Sequence, residues 1–398
     1  MADISAGRSR TSDRPSVAWW RDERKRGLIW QIVVVAILCL GVWFIIDNMA
    51  ANLRAMGVPL GFGFLDAPAG FAISSSLIQT DLNSSIGRLI VAGMLNTLLA
   101  AAISIVLATI IGVIIGVCRL SRNYLVSRLA TAYVEALRNI PLLVQLLFWY
   151  AATIQLFPNV RKAISVFDLM FLTQRGVYVP RPIAEDDLGI VFVALLVGIG
   201  VALGVGRWAR KRQEATGQQF PKVRVGLAIV VGLPLVASLL LGAPVTWEVP
   251  ELKGFNFRGG MVMLPELTAL VLGMSMYTAA FIAEIVRGGI LAIPRGQSEA
   301  AIALGLSEFA RLRYVVIPQA IRIMIPPLAN QFLNLTKNSS LAVFIGYPEI
   351  ARITGIIISQ GNPELQPLSI LMLSYLSISL TIASITNVVN RRLQLTTR

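Results

Sequence analysis

Long apolar runs, each bounded by a short polar or basic stretch, dominate the chain. They lie near residues 28–47, 89–118, 130–156, 188–206, 225–243, 266–290, 319–345 and 367–390. A helix rises about 1.5 Å per residue through a hydrocarbon core about 30 Å thick, so roughly 20 apolar residues cross it. The pattern predicts an all-α polytopic membrane protein with about eight transmembrane helices, the second long enough to tilt or project. The segments near 48–87, 157–187, 244–265 and 346–366 are rich in Pro, Gly and Asn. Loops or short surface helices are expected there, one of which can receive another protein.

Composition sharpens this reading. With 56% hydrophobic and 14% charged residues, a soluble domain is excluded. The net charge of +14 does not point to nucleic acid, because the Lys and Arg fall between apolar runs instead of forming a patch interleaved with aromatics. They concentrate in residues 1–27, 119–128, 207–224, 287–322 and 391–398, in every second interval between spans and therefore on one side of the membrane. Cytoplasmic loops hold the excess of positive charge, so both termini are expected in the cytoplasm. Residues 1–27 then form a basic cytoplasmic tail ahead of a retained helix at 28–47, not a cleaved leader. The chain has no His, which removes a His-based triad, metal centre or pH switch, and no metal site is expected. Cys39 and Cys118 lie in or at the edge of different apolar runs and read as small buried hydrophobes.

One short segment between two spans departs from the pattern. In "EAAIALGLSEFARLRYVVIPQA", Ser298 is expected to cap a helix and Glu299 to sit in its first turn, at the positive end of the helix dipole. Ala300, Ala301 and Ala303 continue the helix, and Gly305 suits the left-handed position just past its end. Ser307 can cap a second helix carrying Arg311 and Arg313. An alanine-covered helix lets another backbone come close, as a docking element requires, although an ordinary interfacial loop helix fits the same composition.

The spacing of Glu299, Ala300, Ala301, Gly305 and, nine residues on, Val315 to Pro318 resembles the EAA motif of ABC importer permeases. Val315 and Ile317 are conservative departures from it. The stretches "YVEALRNIPLLVQLLFWY", "YTAAFIAEIVRGGILAIPRGQSEAA" and "LTKNSSLAVFIGYPEI" are similar to signatures of the polar amino-acid uptake subfamily. The long N-terminal region and two extra spans resemble the larger Q-type permeases of general L-amino-acid ABC transporters. The resemblance implies a type I ABC transporter transmembrane domain with a MetI-like core over residues 84–390, interrupted by an insert at 158–262. Residues 291–318 would form the cytoplasmic coupling loop, with Glu299, Ala300, Ala301, Gly305 and Pro318 transmitting the closure of a separate ATP-binding subunit. It further implies a dimer of that subunit, a second homologous permease, a periplasmic amino-acid-binding protein, and an L-amino acid carried inward across the bacterial inner membrane. The chain lacks a Gly-Lys pair and hence a Walker A loop, so ATP and Mg belong to the partner and no cofactor or catalytic residue is expected here.

Four charges lie inside or at the ends of spans. Glu135 and Arg138, and likewise Glu284 and Arg287, are three residues apart, share a helix face and can pair. They read either as an inner gate, with Pro141 and Gly288–Gly289 allowing bending, or as interfacial anchors. In "ANQFLNLTKNSS", Asn330, Gln331, Asn334, Thr336, Lys337, Asn338 and Ser339 crowd a stretch that should cross the bilayer. Lipid cannot satisfy such groups, so they predict helix ties and a polar path for a small zwitterionic solute. Asn139, Gln145, Tyr277 and Thr278 are candidates for the same path. Two rivals remain. An ion-gradient-driven secondary transporter predicts an inverted repeat that is not evident. A membrane-embedded enzyme needs an acid–base constellation beyond two Glu that each have an Arg beside them.

Overall fold

A computed structural model describes residues 23–55, 61–184, 187–242, 245–362 and 364–393. The chain divides into two compact units. In the first (1–64 with 363–366), the main described element is α1 (Glu23–Ala55), whose side chains are exposed along almost its whole length. The second (65–362 with 367–398) holds everything that follows.

Its centre is the contact between α2 (Ile86–Arg119) and α7 (Pro265–Leu291). Buried small residues run along α2 at Gly93, Thr97, Ala100, Ser104, Ala108, Gly112 and Gly116, steps of three or four that keep them on one face. Lipid supplies no hydrophobic drive between helices, so such a stripe gains stability by letting backbones approach and side chains interlock. Around α7 also pack α3 (Tyr124–Asn139), α4 (Leu142–Leu156) and α10 (Ile317–Asn338), with Leu146, Leu270, Met274, Ile282 and Leu335 in the core. Helix α11 (Ile350–Ser359) packs on α2 through fully buried Ile350, Ile353 and Ile357, so part of the expected surface segment 346–366 is core. The chain then runs into α12 (Leu365–Leu393).

The region 158–262 corrects another expectation, because strands replace much of its anticipated loops. Beside β1 (Ile164–Val166) lie β2 (Met170–Thr173), β3 (Gly176–Val179) and β8 (Met261–Met263), in one antiparallel sheet in that order. β6 (Glu251–Lys253) and β7 (Asn256–Arg258) form a hairpin whose Phe257 packs between Tyr178 and Phe171, at ring separations of 4.8 and 4.6 Å. The Tyr178 hydroxyl donates to Asn256 Oδ1 at 2.8 Å, and burial pushes its pKa up. β4 (Arg181–Ala184) pairs with β5 (Val245–Glu248), closing the base of a hairpin made by α5 (Leu188–Thr216) and α6 (Lys222–Leu240). α5 extends ten residues beyond the expected span end at 206, carrying Arg207, Arg210, Lys211 and Arg212 within the helix. Almost none of the residues in the two hairpin helices is buried.

Six described helices are long and apolar enough to cross a membrane, or up to eight if each of two bent pairs is one span. The expected span 130–156 is one of those pairs: α3 and α4 meet at 106°. Pro141 lacks the N–H that the Leu137 carbonyl would need for the helix to continue. Gln145 supplies the substitute, its amide nitrogen donating to Leu137 O at 2.8 Å and Ile140 O at 2.9 Å. Replacing Gln145 with Leu is therefore expected to leave two carbonyls without their donor, at roughly 1–3 kcal/mol. Gln145→Glu should restore at most part of this, since a carboxylate cannot donate and a carboxylic acid brings one O–H in place of two N–H. Thermal unfolding of the purified protein checks this, and a wild-type midpoint in both variants would mean that the bend is held by other contacts. At Gly288–Gly289, α7 continues unbroken to Leu291. A Cβ on Gly289 would collide with Met324 of α10, so this glycine serves a close helix contact.

Candidate functional site: the α7–α10 loop and the charges beside it

The loop forms the helix, sharp turn and helix that its sequence predicts, with one change. α8 spans Arg295–Ala303, so it starts three residues before Ser298, and Pro294 takes the cap position. At its end Gly305 N–H bonds the Ile302 carbonyl at 2.8 Å and Leu306 N–H bonds the Ala301 carbonyl at 3.1 Å, a Schellman closure. That closure puts Gly305 at φ +75°, the left-handed region where glycine is unstrained. Ser307 Oγ accepts from Ala310 N–H at 3.3 Å and opens α9 (Glu308–Arg311).

The helical path then widens for one turn over Leu312–Val316, where Ile317 N–H reaches back five residues to the Leu312 carbonyl. Pro318, in the first turn of α10, brings no N–H of its own, which suits the wide turn just before it. Of the motif residues Ala301 and Val316 are buried, at 3% and 5% exposure, and Pro318 is half-buried; Glu299, Ala300 and Gly305 face outward. Beside them Ile302, Leu304, Phe309 and Tyr314 are exposed by 60–81%. Four large apolar side chains around one tight turn form a surface suited to a protein partner.

The four candidate gate charges are arranged otherwise than expected. Glu284 does pair with Arg287, whose Nε donates at 3.2 Å, but it is also bound by Arg119 from the last turn of α2. Sequence reading missed Arg119 because its partner is 165 positions away. Glu135 and Arg138 do not pair: Arg138 instead lies over the Phe281 ring of α7, 5.1 Å from its centroid. Arg119, Glu135, Arg138, Asn139 and Glu284, with Val134 and Phe281, line one cavity of about 410 Å³. Arg122, in the α2–α3 turn, reaches Glu308 of the loop at 3.8 Å.

The candidate path residues occupy several environments, and of them only Asn139 lines this cavity. Gln145 is 4% exposed and holds the bend described above. Tyr277 stacks against Phe281 at 5.0 Å, and Thr278 is buried within the helix packing. On α10, Asn330, Asn334 and Lys337 are exposed at i, i+4 and i+7, one polar stripe along a helix of the membrane domain. Gln331 and Asn338 are half-buried, whereas the hydroxyls of Thr336 and Ser339 turn inward to Phe332 O and Thr336 O, at 2.9 and 2.7 Å.

Sequence reading also passed over a buried polar network. Glu349, fully buried, caps α11 by accepting from Arg352 N–H at 2.9 Å and from the Tyr375 hydroxyl at 2.8 Å. Nearby, Asn96 Nδ2 donates to Pro348 O at 2.9 Å and Tyr347 donates to Asn96 O at 3.1 Å. These bonds tie the turn before α11 to α2 and α12.

Residues 229–395 match the family described as "Binding-protein-dependent transport system inner membrane component". Over 374 residues the chain is 44% identical to the putative amino-acid ABC transporter permease protein YhdX of Escherichia coli (strain K12), covering 94% of this chain and 95% of that one. The chain belongs to the amino-acid ABC transporter permeases. The permease is also 44% identical over 377 residues to the general L-amino acid transport system permease protein AapQ of Rhizobium johnstonii, covering 95% of this chain and 94% of that one. With the glutamine transport system permease protein GlnP of Escherichia coli (strain K12), identity is 33% over 171 residues, 43% of this chain and 74% of that one. Near-complete coverage against the first two shows that the insert region is within the shared sequence. The permease is accordingly a multi-pass inner-membrane transport component and not an enzyme.

Proposed function

We propose that this permease is one of two membrane subunits of an ATP-driven importer that carries L-amino acids into the cell, and that both of its termini are cytoplasmic. The observation that carries the reading is the α8–α9 turn, with Gly305 left-handed at its apex and Ile302, Leu304, Phe309 and Tyr314 exposed around it. In a family of ABC permeases, such a surface is suited to lie in a cleft of the ATP-binding subunit and move with it. ATP and Mg are then handled by that subunit, and this chain binds no cofactor. The polar stripe Asn330, Asn334 and Lys337 faces a sister permease of different sequence across a wet path, since lipid would leave these groups unsatisfied. A periplasmic binding protein delivers the amino acid. Nothing in the residue arrangement favours a gradient-driven transporter.

The test is uptake into proteoliposomes holding this chain with its ATP-binding subunit and sister permease, given the loaded binding protein outside. Accumulation of labelled L-amino acids is expected to need ATP inside and to survive ionophores. Accumulation that ignored ATP and collapsed with ionophores would replace this reading with the gradient-driven one. In the same assay Asn334→Leu, which puts an apolar group on the stripe, is expected to lower uptake at least several-fold. Unchanged rates for each amino acid tested would remove α10 from the path.

A further inference from the structure

Glu135 and Arg138 stand one turn apart on α3, where opposite charges ordinarily find each other. No ion pair joins them, and among the described residues neither has an ionic partner elsewhere. Arg138 rests on Phe281 with its Cζ 5.1 Å from the ring centroid, a contact that uses none of its N–H donors. The other charges on the cavity wall are already engaged, because Glu284 is held by Arg119 and Arg287. What faces the cavity unspent is thus one carboxylate, one guanidinium and the amide of Asn139, over an apolar patch of Val134 and Phe281.

The shape and charge of this arrangement narrow its ligand. The volume of about 410 Å³ lies in the range of about 300–1,000 Å³ typical of small-molecule sites. With Glu284 taken up by Arg119 and Arg287, the two charges left open on the wall are one of each sign, and a ligand with a single charge matches only one of them. A neutral molecule carrying both charges close together matches both unpaired groups at once. Asn139 adds a donor and an acceptor beside them, and the Phe281 edge leaves room for an uncharged side chain.

We propose that this cavity is a binding site for a free α-amino acid zwitterion, its α-carboxylate on Arg138 and its α-ammonium on Glu135 and the Asn139 carbonyl. The proposal rests on the import reading for the side of the membrane it faces, which would be the product side. The match of wall to ligand stands without that reading. The site is separate from the polar stripe on α10. It also sits beside the α2–α3 turn that Arg122 joins to Glu308, so bound product would meet the permease next to its ATP-coupling loop.

The experiment is equilibrium binding of labelled L-glutamine to the assembled transporter in nanodiscs, without the binding protein. Saturable binding is expected, and N-acetyl-L-glutamine and the α-amide of glutamine should each compete at least about tenfold more weakly, since each lacks one charge. Arg138→Gln and Glu135→Gln should each weaken glutamine binding by a similar factor. The exchange variant Glu135→Arg with Arg138→Glu should recover much of the loss, and Gly204→Leu in α5, where a Cβ meets nothing within 4 Å, should leave binding unchanged. Absence of binding to the wild-type assembly would overturn the site, as would equal competition by the two analogues. Loss of binding in Asn334→Leu with retention in Arg138→Gln would place the amino acid on the α10 stripe instead. ATP-driven uptake measured on the same preparation judges the import reading separately, so a transporter that imports but fails these binding tests loses only this site.

Discussion

Replacing Gly305 with Asp is expected to abolish amino-acid uptake and its coupling to ATP hydrolysis while leaving the permease folded. The two halves of that expectation come from different features of one residue. A Cβ built on Gly305 meets nothing within 4 Å, so a side chain there creates no clash inside the chain. The remaining internal cost is the left-handed backbone, roughly 1–2 kcal/mol for a residue with a Cβ, which alone does not unfold a membrane domain. Outward, the new carboxylate emerges among Leu304, Ile302 and Phe309, the side chains most suited to being covered by the ATP-binding subunit. An unpaired charge desolvated at such a contact costs several kcal/mol, enough to weaken coupling by about a hundredfold or more. Gly305→Asn separates the causes, because Asn tolerates the left-handed backbone and brings no charge. It should keep a substantial part of the activity. Monodisperse Gly305→Asp protein with substrate-stimulated ATPase and uptake both at wild-type levels would show that the turn is not the contact.

This turn was also the most legible part of the chain, for a physical reason. The left-handed Gly305 and the Ser307 cap are local, each fixed by residues within a few positions, so spacing alone shows them. Ser298 misled because a serine can cap a helix or simply ride within one, and Pro294, fixing its own φ, began the helix a turn earlier. The bend at Pro141 was half legible. The proline announced that a hydrogen bond would be missing, but Gln145 as its replacement follows only from the folded geometry. Strands of three or four residues, as in β1 to β8, are too short for an alternating pattern to stand out between apolar runs. Long-range pairing was least legible. Glu284 and Arg287 suggested each other by their spacing, whereas Arg119, which claims the same carboxylate, comes from the end of a helix closed against α7 by small residues far away in sequence. The same packing supplies Phe281 to Arg138, and so decides that the Glu135–Arg138 pair stays open.

That packing is where a single substitution should do most damage to the fold. A Cβ on Gly112 would stand 2.6 Å from Ile282 Cβ and 3.0 Å from the Ala279 carbonyl, and one on Gly116 would stand 2.8 Å from the Ala283 carbonyl. Ile282 is fully buried and the carbonyls belong to a regular helix, so neither can move aside without shifting α7. Gly112→Leu is therefore expected to cost more than the roughly 1–3 kcal/mol of ordinary overpacking and to sharply reduce the yield of folded permease. Gly112→Ala should fall between it and wild type. A leucine at Gly204 in α5, where a Cβ meets nothing within 4 Å, should change little, and this control separates helix packing from a general effect of replacing glycine. Adding Ile282→Ala to Gly112→Leu removes the Cγ2 at 2.6 Å but neither the Cβ at 2.6 Å, which alanine keeps, nor the carbonyl contact, so at most a small recovery is the expected result. Thermal unfolding followed by size-exclusion elution measures all four. If Gly112→Leu and Gly204→Leu unfolded at the same temperature, α2 and α7 would not be in the close contact that places Arg119 on Glu284, and the arrangement of the charges around the cavity would have to be reconsidered with it.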